Sequence, residues 1–305
     1  MVDKLDKFIP RQEWLIKTLN ILEGNFRETM PKEVRRKIGA LYCMDARFDE
    51  MHDYKGTKNG EIYPLRHLAG ALPRSEAADR DFKASVVLLT TMPTVEGMSI
   101  TGHEDCKAVE AYCNHVLFPG DPHKDNPARF KDVYDFFDSV VSHDFKDALK
   151  QAYAGNASMY EIRKMVEKAI ILQSLRNFYD YELGDKKVSD LVNEGTWWIP
   201  AAIRGLPVDN GKSPLEVFDP KANDFVPIEQ LEKELYPVSN GMSTSARIIE
   251  DYKQLNKRQA LAVKPAGSLV MKKVNKVINI AEPMMEELDH AIANALNNLT
   301  QMKGV

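Results

Sequence analysis

The chain of 305 residues carries 45 acidic and 41 basic side chains, a formal net charge of −4, with no block of like charge. That balance lacks the field needed to hold nucleic acid or an anionic membrane by charge. The three cysteines, Cys43, Cys106 and Cys113, are an odd and small number, the usage of a reducing compartment and not of a disulfide framework. No apolar run approaches the roughly 18 residues of a membrane span, and Met1–Lys7 lacks the character of a secretory or transit signal, so a soluble, cytoplasmic protein is expected.

Residues 10–30 place Trp14, Leu15, Leu19, Leu22 and Phe26 at helical spacing, which predicts an amphipathic helix ending near Pro31. Its apolar face is expected to pack on its own domain, with a subunit contact as the second reading. Lys37–Cys43 is a continuous apolar run of the kind found in the middle of a parallel sheet. It ends in Cys43-Met44-Asp45-Ala46-Arg47, and the carboxyl ends of such strands are where active-site residues collect. Residues 48–62 are polar and turn-rich, a surface loop in which His52 has no assigned role. A second strand starting at Ile62 then enters the small-residue turn at Ala69-Gly70.

From Ser75 to about Thr91 the pattern predicts a crossover helix with Ser75 as its cap, Glu76 and Asp79 in the first turn, and Phe82, Val86 and Leu89 on the apolar face. The strand Met98–Thr101 follows, and a strand–helix–strand unit predicts parallel neighbours with a right-handed crossover. A glycine-eased turn then leads to His103 and Cys106, where a helix opens and continues through Val109, Ala111 and Tyr112. Cys113, seven residues after Cys106 on the same face, reads as core.

Residues 117–128 form a proline-rich loop, while 129–153 and 158–181 carry helical periodicity. His115, His123 and His143 have no second ligand at matching spacing and read as surface or core. The stretch 194–205 turns β-like, with Trp197 and Trp198 as core or subunit-contact residues, and Leu215–Asp219 is a further short strand. From Ile228 onward, helices are expected near 228–236, 244–258 and 270–299.

Side chains three apart on a helical turn lie about 5–6 Å apart at Cβ, so the His103 imidazole and the Cys106 thiolate can meet at one point. If the two apolar strands end side by side, Cys43 joins them. Cys, His and Cys make a three-ligand set that leaves one position of a tetrahedral zinc open, the arrangement of a catalytic site. Two cysteines alone would suit buried apolar positions equally well. The histidine at matching spacing and the Asp-x-Arg pair beside Cys43 favour the metal.

Cys43-x-Asp45-x-Arg47 followed by Gly102-His103-x-x-Cys106 resembles the paired motifs of the β-carbonic anhydrases. The resemblance implies an α/β fold with a central, mostly parallel β-sheet flanked by helices, spanning about 36–227. A helical N-terminal arm (1–35) and a helical C-terminal extension (228–305) would flank it. It also implies Zn2+ held by Cys43, His103 and Cys106, an Asp45–Arg47 dyad that orients the attack on carbon dioxide, and a homodimer or larger homo-oligomer. The chain departs from the family at three places: Ala46 replaces a common serine, Lys107-Ala108 follows Cys106, and His67-Leu68 lengthens the element that contains Arg66. Lys107 is expected either to crowd the helix start or to bring a positive charge near a bound anion.

The function expected is reversible hydration of carbon dioxide to bicarbonate. A runner-up keeps the site and changes the substrate to carbonyl sulfide or carbon disulfide. A reading from another class is a catalytically weak, zinc-stabilised structural or interaction protein that binds a partner through its C-terminal helices.

Overall fold

The structure is a computed structural model that describes residues 11–22, 37–45, 61–92, 94–206, 214–235, 254 and 281–301. Six strands make one sheet: β1 (Lys37–Cys43), β2 (Ile62–His67), β3 (Val95–His103), β4 (Ala201–Arg204), β5 (Leu215–Asp219) and β6 (Asp224–Pro227), in the order β2-β1-β3-β4-β5-β6. The first four in that order run parallel, and β5 and β6 add on antiparallel. The helices are α1 (Arg11–Leu22), α2 (Arg80–Thr91), α3 (Lys107–Leu117), α4 (Pro127–Val140), α5 (His143–Ala154), α6 (Met159–Tyr179), α7 (Val188–Asn193), α8 (Ile228–Leu235) and α9 (Ala281–Gln301).

The apolar run predicted over 37–43 is β1, buried from Ile38 onward between two hydrogen-bonded neighbours. From β1 the chain reaches β2 on one side, and α2 then carries it past β1 to β3 on the other. Strand order therefore reverses between β1 and β3, and in open α/β sheets ligands bind outside the carboxyl ends of the strands at such a switch point. β3 is longer than the predicted 98–101, because burial extends along the whole of Val95–His103 apart from Glu96.

The crossover helix starts later than expected. Asp79, not Ser75, is its cap: the Asp79 carboxylate accepts the Phe82 N–H at 2.7 Å, while Ser75 opens a short 3-10 turn. A carboxylate three residues before the donor competes well for that position. The predicted helix 129–153 is two, α4 and α5, separated by an extended Val141 and Ser142. α7 and β6 were not anticipated; six and four residues are too short for periodicity to register.

α1 packs against β3 and α8 of its own chain. Trp14, Leu15, Leu19, Ile21 and Leu22 are buried there, Arg11 grips Asp219 at 2.6 Å, and the Trp198 indole donates to Thr18 at 3.1 Å. Trp197 and Trp198 are core residues. At the other end, α9 lies along α5 and α6 and buries Met284, Leu288, Ala291, Ala295 and Leu299. Its apolar stripe is thus covered by its own chain. The helix expected at 244–258 lies outside the described residues except for residue 254, as do 23–36 and 270–280. Among the described residues, no helix is long and apolar enough to cross a membrane.

Candidate metal centre

β1 and β3 pair with Tyr42 beside Thr101, so Cys43 and His103 leave the sheet at the same edge. The chain then turns through Glu104 and Asp105, the latter at φ 56°, and Cys106 becomes the N-cap of α3. All three side chains are buried, and one donor atom from each lies within 4.8 Å of the others. The three residues singled out in the sequence as metal ligands thus converge.

The Cys43 and Cys106 sulfurs are 3.9 Å apart. A disulfide would bring them to about 2.05 Å. Two zinc–sulfur bonds of about 2.3 Å at a tetrahedral angle separate their sulfurs by about 3.8 Å, so the spacing suits a shared ion. His103 Nδ1 lies 2.9 Å from the Glu104 carbonyl oxygen, which can only accept. Nδ1 therefore carries the proton, and Nε2 presents its lone pair toward the thiols.

Electrostatics within the group are those of a cation site. The hydrogen bond from Cys106 pulls the Cys43 thiol well below its ordinary value, overriding burial, with help from His103. The same bond, with burial and the Cys43 charge, pushes Cys106 far up. One of the pair ionises readily and the second resists, as two anions so close must without a cation between them. Backbone N–H groups of Val109 and Ala108 at the start of α3 act against that resistance. Burial pulls His103 down, but its hydrogen bond and charge contact with Cys43 leave it raised.

Asp45 stands beside this group, its carboxylate 4.0 Å from His103 Nε2. Arg47, its expected partner, lies outside the described residues, as do Ala46 and His52. Arg66 donates to the Cys43 carbonyl at 3.1 Å, which fixes the end of β1. The turn after β2 is left-handed at two successive residues: Ala69, at φ 56°, is strained there, while Gly70, at 65°, is not. A Cβ on Gly70 would sit 2.1 Å from the Thr101 carbonyl oxygen, so only glycine lets this turn pass over β3. Lys107 does not crowd the helix start: it is exposed and pairs with Asp105 at 3.3 Å and Glu110 at 2.9 Å. Cys113 is fully buried, as read. His115 is bound to Asp125 at 3.1 Å and stacked on Tyr134, where it anchors the proline-rich loop.

Sequence reasoning missed Glu167. It is buried on α6, and its carboxylate accepts the backbone N–H of Cys106 at 2.9 Å. Burial raises its carboxyl to about 7, against the pull of that N–H. The sequence shows only that an acid stands among Ile162, Val166 and Ile170, inside a stripe that is otherwise apolar; nothing in it points to the Cys106 N–H as its partner.

Fold and donor set together define an α/β protein whose sheet edge gathers ligands of the kind a metal ion takes. A family model described as carbonic anhydrase matches residues 39–199, just over half of the chain, from β1 to the approach to β4. The chain belongs to the carbonic anhydrase family, in its β class. No curated protein matches it. Among solved structures, the β-carbonic anhydrase CcaA is similar at 17% identity and a TM-score of 0.49, over 63% of this chain and 84% of that one. Tetrameric β-carbonic anhydrases from Sordaria macrospora give 12% identity and 0.43, over 60% and 80%. The Coccomyxa enzyme in complex with acetazolamide gives 13% and 0.41, over 56% and 68%. The family assignment rests on the family model.

Proposed function

We propose that this chain catalyses the reversible hydration of carbon dioxide to bicarbonate with zinc held by Cys43, His103 and Cys106. The observation that carries the reading is the meeting of their three donor atoms within 4.8 Å at the switch point of the sheet. When bound, zinc supplies a Lewis acid that makes water a nucleophile near neutral pH. The chain's own residues do the rest. Two thiolates would match the charge of the ion, and the Glu104 carbonyl, by holding the proton on His103 Nδ1, would leave Nε2 free to serve as the ligand atom. Asp45 accepts a hydrogen bond from the attacking water and points its lone pair at the carbon. Arg47 holds Asp45 in place by a charge-assisted pair.

A cytoplasmic setting belongs to the proposal and is supported by three free cysteines. So does a homo-oligomer; what supports it is a pair of exposed apolar side chains on α2, Val87 at 37% and Leu88 at 58% exposure. Stopped-flow hydration assays test the reaction. The purified chain should accelerate hydration in proportion to its zinc content, and Cys43→Ser should bring the rate to background. Unchanged hydration in Cys43→Ser would refute the assignment.

A further inference from the structure

The turn that joins His103 to Cys106 is gripped residue by residue from a single face of α6. Lys164 holds Glu104 at 2.8 Å, Arg163 reaches Asp105 at 3.5 Å and Glu110 at 3.1 Å, and Glu167 takes the Cys106 N–H at 2.9 Å. Positions 163, 164 and 167 are spaced so that they lie on one side of a helix. Asp105, in the middle of the turn, keeps a left-handed backbone that costs free energy for a non-glycine residue.

Of these three, Glu167 stands apart. Lys164 is 38% exposed and the Arg163 pairs are partly solvated, whereas Glu167 is 4% exposed. Among the described residues it forms no salt bridge, although Arg163 stands one turn earlier on the same helix. The buried acid Asp219, by contrast, has Arg11 as its partner. Keeping a carboxyl out of water without a cation is costly, so the one strong contact it makes needs a reason.

That reason lies in the capping of α3. In a capping box, the side chain three residues into the helix reaches back to the N-cap N–H. Here the N-cap is Cys106, whose thiol makes no cap hydrogen bond, and the third helical residue is Val109, which has no acceptor. Glu167 supplies the missing half from another helix.

We propose that Glu167 is a positioning residue for the metal centre: by accepting the Cys106 N–H it sets the direction of the Cys106 sulfur and thereby the tightness of zinc binding. The inference rests on the metal reading given above. Without this acceptor the buried N–H must turn toward another partner, and the sulfur beside it turns too. Such outer contacts are typically worth about 10- to 100-fold in metal affinity.

The test uses the full chain with Glu167→Met and Glu167→Gln. Methionine fills the same space without a strong acceptor and removes the burden of a buried carboxyl, while glutamine restores the acceptor without the charge. Three quantities are measured: thermal stability of the metal-free protein, zinc release to a colorimetric chelator, and the thiolate-to-cobalt charge-transfer band of the cobalt-loaded protein. For Glu167→Met, metal-free stability equal to or above that of the parent is expected, with zinc release about 10- to 100-fold faster and a weakened band. For Glu167→Gln, release within about threefold of the parent and an unaltered band are expected. Equal loss in both variants, parent-like release in Glu167→Met, or a metal-free Glu167→Met that no longer folds would each overturn the inference. A parent protein that binds no zinc would instead overturn the metal reading beneath it.

Discussion

The two cysteines of the centre are held in different ways. Cys43 is the last residue of a central strand: it pairs with His67 of β2, Tyr42 before it pairs with Thr101 of β3, the next N–H, that of Met44, reaches the His67 carbonyl at 3.1 Å, and Arg66 caps its own carbonyl. Cys106 follows an irregular turn and is held by side chains of α6, a helix roughly sixty positions away in sequence. One sulfur is placed by backbone hydrogen bonds, the other by side-chain chemistry. Single substitutions should therefore disturb the Cys106 flank more easily, while the Cys43 flank should yield only to changes that reach the backbone.

The largest effect comes from removing either anchor. Cys43→Ser and Cys106→Ser should each lose zinc and at least about 1,000-fold in hydration rate, because both sulfurs are needed to close the donor set. Metal analysis with stopped-flow assay reads this, and a variant that kept stoichiometric zinc would show that its sulfur is not needed in the donor set. Next in size, Gly70→Ala strikes the backbone where β1 and β3 lie side by side, against Thr101 and close to Cys43. Its Cβ would meet the Thr101 carbonyl, and its φ of 65° disfavours any side chain, so a loss of about 3 kcal/mol is expected in urea unfolding.

Smaller effects sharpen the contrast. Arg163→Ala removes a partly solvated clamp and should cost about 0.5–1 kcal/mol, with zinc release about threefold faster. Arg66→Ala, on the flank that the sheet already holds, should change zinc release less than about twofold. Comparable release rates for the two would remove the distinction between the flanks.

The smallest effect lies away from the centre. Burial pushes the Asp125 carboxyl up, but the Gly120 N–H and His115 override it and leave it below its ordinary 3.8. A carboxyl lowered by folding adds stability above its unfolded value and gives it back as pH falls through the folded one. Asp125→Asn should therefore lower Tm by about 1–3 °C at pH 7. The gap should close below pH 3.8 while zinc binding stays unchanged, as thermal melts across pH would show.

The same contrast explains what could be read from the letters. β1 and β5 match their predicted spans, since an apolar run between turn residues carries its own boundaries. Cys43, His103 and Cys106 were recognisable because strand ends and a three-residue step are local patterns. Glu167 was not, because its partner lies 61 positions away and is a backbone N–H, which leaves no mark on composition. Asp79 displaced Ser75 as a cap for a related reason: both residues suit the position, and only the path of the chain decides which meets a free N–H. Lys107 was expected to crowd the helix start because its acidic neighbours Asp105 and Glu110, both visible in the sequence, were left out of account.

X-ray absorption at the zinc edge on the purified chain tests the account most directly. One zinc per chain is expected, with two sulfurs at about 2.3 Å, one imidazole nitrogen at about 2.0–2.1 Å and a single light-atom neighbour in the remaining place. A chain free of zinc, or a metal shell without sulfur, would contradict it.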